Sequence, residues 1–136
     1  MINTAIQQIE AALPGALGTV KGVRLDTDRA IAVFVLPFTD RHHQPFRFYA
    51  YTRPKSKKIF LTDAGGMLET LKKSGLGVEM DLLQETLRTF DLVVLEDGQV
   101  LEQTDRPLWQ RILALVQGLI LADGVLRTWT LPRKTA

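Results

Sequence analysis

Residues 36–75 read LPFTDRHHQPFRFYAYTRPKSKKIFLTDAGGMLETLKKSG. Within this stretch, residues 45–52 alternate. Phe46, Phe48 and Ala50 point one way, and Arg47, Tyr49 and Tyr51 point the other, the period-two signature of a half-buried strand. The loop Arg53-Pro54-Lys55-Ser56-Lys57 leads into a further strand at 58–62. Upstream, residues 30–38 are nearly all apolar and rich in β-branched types, which predicts a central strand buried on both faces. Three such strands in sequence predict an antiparallel meander. The segment then changes period. Asp63 precedes Gly65-Gly66, and Met67, Leu68 and Leu71 take helical spacing as far as Gly75.

Working outward, residues 3–13 read as a helix. Asn3 or Thr4 can cap it, Ile6, Ile9 and Leu13 form its stripe, and Pro14-Gly15 ends it. A strand over 17–25 and a turn at Asp26-Thr27-Asp28 connect it to the meander. On the other side, residues 79–90 form a second helix with Met80, Leu83 and Leu87 on one face. Residues 91–95 and 99–102 flank Asp97-Gly98, a strong hairpin signal. Asp105 caps a last helix, with Pro107 in its first turn, running to about residue 122. Leu108, Ile112, Leu115, Val116 and Leu119 make its main stripe, but Leu113, Ile120 and Leu121 spread apolar surface almost all round. Such a helix is deeply buried or buries a second face in a partner. The tail from residue 127 has two readings, a final edge strand stopped by Pro132 or a frayed basic end. The fold class is therefore α+β: an antiparallel sheet, meander plus later hairpin, with helices mainly on one face.

The chain has 136 residues, 46% hydrophobic and 24% charged, which fits one globular domain without repeats or linkers. A domain of this size buries roughly two-thirds of its unfolded surface and needs no staples. It has no cysteine, which excludes disulfides and thiolate metal sites. The N-terminus lacks the pattern of a signal peptide. The most apolar run, residues 112–122, is too short to span a bilayer and holds Gln117 and Gly118. These features predict a soluble cytoplasmic protein with no membrane partner.

Net charge is only +2, but it is unevenly spread. Residues 41–60 carry Arg41, Arg47, Arg53, Lys55, Lys57 and Lys58 and no acid, whereas residues 63–105 carry ten acids and three bases. Basic residues beside aromatics can track a nucleic-acid backbone and stack bases. Arg47, Tyr49, Arg53, Lys55, Lys57 and Lys58 are therefore a candidate nucleic-acid surface. A solubilising hairpin loop accounts for the same residues.

Asp40, His42 and Asp63 can be read as oxygen and nitrogen donors to a divalent cation, and hence as a metal-dependent hydrolase. Adjacent His42 and His43 would point to opposite faces of a strand, so both cannot serve one ion. Turn and helix-cap roles suit Asp40 and Asp63 equally well in type and position. No phosphate-binding glycine loop, nucleophile elbow or paired helical histidines occur. No catalytic residue, metal or cofactor is assigned.

The order Pro37, Phe38, Asp40, Arg41, His42, then Leu61, Thr62, Asp63, Gly65, then Leu71 and Gly75 resembles a family of bacteria, phages and prophages. It is known as the domain of unknown function number 1828. The resemblance spans residues 15–122. It implies Asp40, Arg41, His42, Asp63 and Gly65 as a polar site and a cytoplasmic, mobile-element or defence setting, with no established reaction. Ala64 stands where the family pattern expects another aspartate.

The expected function is a binding module acting on a protein partner or forming a homodimer. Trp109, Leu113, Val116 and Ile120 are its candidate interface. Nucleic-acid binding is the alternative, and hydrolysis the third reading.

Overall fold

A computed structural model describes residues 2–17, 24–28, 31–39, 44–53, 58–73, 75 and 79–134. For residues 2–3, 24–28, 38–39 and 127–134 it describes the backbone course alone. The element order is α1 (Ile2–Leu17), β1 (Arg24–Asp28), β2 (Ile31–Thr39), β3 (Pro45–Thr52), β4 (Ile59–Thr62), α2 (Gly66–Lys73), α3 (Met80–Arg88), β5 (Val93–Val94), β6 (Val100–Glu102) and α4 (Leu108–Lys134). The strands make one antiparallel sheet in the order β1-β2-β3-β4-β6-β5. The α+β class, the meander and the later hairpin are all present.

Alternation on the strands sorts the two faces of the sheet. Ala32, Phe34 and Leu36 on β2, Phe48 and Ala50 on β3, and Ile59 and Leu61 on β4 join one cluster with the buried residues of all four helices. Phe34 and Phe48 lie opposite each other in register and stack, with ring centroids 5.0 Å apart. The described helices thus cover one face. Val35, Phe60 and Leu101 are also buried but stand outside that cluster, on the other face.

The second hairpin enters the sheet by its later strand. Val100, Leu101 and Glu102 of β6 are all buried beside β4, whereas Val93 of β5 is exposed at the edge. The turn between them needs its glycine. Gly98 has φ +90°, and a Cβ there would sit 2.9 Å from Leu68 Cδ2.

Four expectations are corrected. The helix at 3–13 does not stop at Pro14; α1 runs to Leu17 with Pro14 inside it. Burial of Ala16 and the close approach of Trp109 to Gly15 hold the final turn despite the missing amide. The turn at Asp26-Thr27-Asp28 is instead strand β1, paired residue by residue with β2. Backbone pairing against a nine-residue neighbour outweighs the turn preference of the aspartates. Residues 18–23 of the strand expected at 17–25 lie outside the described residues. Strand β2 is not buried on both faces, because Ile31 is exposed and Val33 half-buried where no described helix covers the sheet. Finally, the tail is neither strand nor frayed end: α4 continues to Lys134. Leu126, fully buried in the core, carries the helix past Gly124.

The longer α4 also changes the membrane arithmetic. Leu108–Leu126 is long and apolar enough to cross a bilayer by length and composition. Yet Ile112, Leu115, Val116, Leu119, Ala122 and Leu126 are buried in the domain core. A core helix meets the same criteria.

Candidate functional site

The turn after β4 is a built polar unit, and its residues serve one another. Thr62 accepts the Ala64 amide on Oγ1 at 3.1 Å and donates its hydroxyl to Gln99 Oε1 at 3.1 Å. Asp63 accepts the amides of Gly65 (2.8 Å) and Val100 (2.8 Å) on Oδ1 and that of Met67 (3.1 Å) on Oδ2. The Asp63 amide in turn donates to the Val100 carbonyl at 3.2 Å. Ala64 and Gly65 both take positive φ, +55° and +83°, which reverses the chain within two residues. Asp63 therefore caps the start of α2 and ties β6 to the end of β4.

Burial pushes the Asp63 carboxyl above its usual value, while the amides of Val100, Gly65 and Met67 pull against that rise. Both oxygens are engaged by backbone donors, which favours the capping role over a metal-ligand role. Asp40, Arg41 and His42, the other polar-site candidates, lie outside the described residues, as does His43. Among the described residues no group of three histidine, cysteine or acidic side chains is placed to hold a metal ion.

Of the candidate nucleic-acid residues, Lys55 and Lys57 lie outside the described residues. Arg47 and Arg53 are exposed, and Tyr49, Lys58 and the neighbouring Tyr51 are half-buried. Lys58 Nζ sits 3.4 Å from Asp105 Oδ1. All five belong to the sheet face that no described helix covers, because residues 47, 49, 51 and 53 alternate away from the core and Lys58 shares the side of Phe60.

The candidate interface on α4 divides. Trp109 is 41% exposed and Ile120 54%. Leu113 is half-buried against the core, and Val116 is inside it. Val116 is therefore corrected to a core residue: it lies on the stripe that faces the core, one turn from Ile112 and Leu119. Leu121, 46% exposed, takes its place on the outer face.

One polar pair carried no sequence signal. Glu102 on β6 and Arg111 on α4 form a buried ion pair, with Arg111 Nε 2.7 Å from Glu102 Oε2. Thr104 donates its amide to Glu102 Oε1 at 2.7 Å, and Arg111 also donates to the Ile59 carbonyl of β4. Glutamate at a strand end and arginine on a helix ordinarily read as surface residues. Only the meeting of their elements shows otherwise. No protein-family model matches the chain, and neither a curated protein nor a solved structure shows significant similarity to it.

Proposed function

We propose that the protein is a non-catalytic binding module that engages a protein partner, a second copy of itself included, through the outer strip of α4. The composition of that strip carries the reading. Trp109, Leu113, Gln117, Ile120 and Leu121 fall within about 120° of helix circumference. No charged residue between 108 and 126 shares that arc. A helix face left in water normally carries lysine and glutamate. A charge-poor strip with an exposed tryptophan and two exposed aliphatic side chains has instead the composition of an interface core. Such a strip can meet its own copy across a two-fold axis without like-charge repulsion. The cytoplasmic, mobile-element or defence setting implied by the family resemblance belongs to this reading.

Size-exclusion chromatography with light scattering over a concentration series tests it, together with capture of partners from the native host. Wild type should self-associate or retain a partner, and Ile120→Asp should lose that association while remaining folded. A strictly monomeric wild type that retains nothing the variant loses would overturn the proposal.

A further inference from the structure

The sheet face turned away from the helices carries a second and different surface. Register sets Ile31, Tyr51 and Phe60 in one cross-strand row, Val33, Tyr49 and Thr62 in the next, and Val35 beside Arg47. Tyr51 and Phe60 stack, with centroids 5.2 Å apart and planes 16° from parallel. The Arg53 guanidinium carbon lies 4.4 Å from the Phe60 centroid, and Lys58 Nζ lies 5.9 Å from it. Aromatic rings and cations are thus fixed together at one end of the sheet face that no described helix covers.

We infer that this face is a stacking platform for single-stranded nucleic acid. Tyr49 and Tyr51 are half-exposed and two residues apart on one strand, so their Cα atoms lie roughly 7 Å apart. That is about twice the spacing of stacked bases. Neighbouring bases must be splayed to use both rings, which a single strand permits and a duplex resists. Arg47 and Arg53 supply the positive edge for the phosphates, with Lys58 shared between that edge and Asp105 at 3.4 Å, and residues 41–60 contain no acid of their own. The acids in register with this face, Asp26 opposite Val33 and Asp28 opposite Ile31, belong to the far edge strand β1. A sheet face of this kind binds with little sequence preference, because every base offers a π surface.

Fluorescence anisotropy tests this with three labelled probes of equal length: oligothymidylate, an abasic strand and a duplex. Oligothymidylate should bind tightest at about 50 mM salt and weaken steeply as salt rises. Tyr49→Ala and Tyr51→Ala should each weaken it about five- to hundredfold, and Tyr51→Phe should retain it. Arg47→Ala, at an exposed position, should weaken all charged probes and lower the salt slope by about one. It keeps the test decisive even if a tyrosine variant fails to fold. Ile120→Asp should leave this binding unchanged, which separates it from the α4 interface. Equal affinity for abasic and normal strands would reduce the face to a charged surface and overturn the inference. So would the absence of oligonucleotide binding, the result expected if the face serves a protein.

Discussion

Arg111 Nε lies 2.9 Å from Glu102 Oε1 and 2.7 Å from Oε2, and both side chains are almost wholly removed from water. The pair joins the last strand to enter the sheet to the longest helix, and the Ile59 carbonyl extends it to β4. Removing one partner strands a buried charge, whereas replacing both with apolar residues need not. Arg111→Ala should therefore destabilise the fold by about 3–5 kcal/mol. The double variant Glu102→Leu/Arg111→Met should recover most of the loss. Urea denaturation of the single and double variants checks both outcomes.

Asp63 gathers three backbone amides, one of them the buried amide of Val100. Asp63→Ala leaves them without their acceptor and should cost roughly 2–4 kcal/mol in chemical denaturation. The pH dependence has a definite sign. Burial raises the folded-state pKa above its ordinary 3.8, so the fold binds this proton more tightly than the unfolded chain does. The associated stability is full below the unfolded value and is lost as pH rises through the folded one. Wild type measured against the non-titrating Asp63→Asn should therefore gain relative stability on acidification through that window. A relative loss there would contradict the burial argument.

Ala64 holds φ +55°, a left-handed conformation that an L side chain adopts at a cost of about 1–2 kcal/mol. Its side chain is exposed, so nothing in packing requires it. Ala64→Gly should raise stability by up to about 1 kcal/mol, the relief being partly offset by the freer unfolded chain. Gly65→Ala, at φ +83°, should lower it. Thermal melts of the two variants should move in opposite directions.

Two isoleucine-like positions on α4 should behave in opposite ways. Val116→Asp places a charge in the core cluster and should prevent folding at ordinary temperature. Ile120→Asp changes a residue 54% exposed and should shift stability by no more than about 0.5 kcal/mol. Circular dichroism with urea titration distinguishes them.

Much of this architecture was legible in the chain because its signals are local. Alternation at 45–52, the glycine turn at 63–66 and Asp97-Gly98 each depend on residues within a few positions of one another. The capping role of Asp63 was legible too, since the helix it serves begins three residues later. Its bond to Val100 was not, because 37 residues separate the partners.

The sequence by itself determined the α+β class, the meander, the hairpin and the apolar stripes of the first three helices, for these follow from periodicity and turn chemistry. Tertiary structure decided what neighbours had to supply. Packing carried α1 through Pro14 and α4 beyond Gly124, and it moved Val116 inward. Topology placed β6 rather than β5 beside β4 and so brought Glu102 to Arg111. The physical reason is the same in each instance. Local preference amounts to about a kilocalorie or less per residue, or about three at Pro14, and burial of several side chains against a distant element exceeds it.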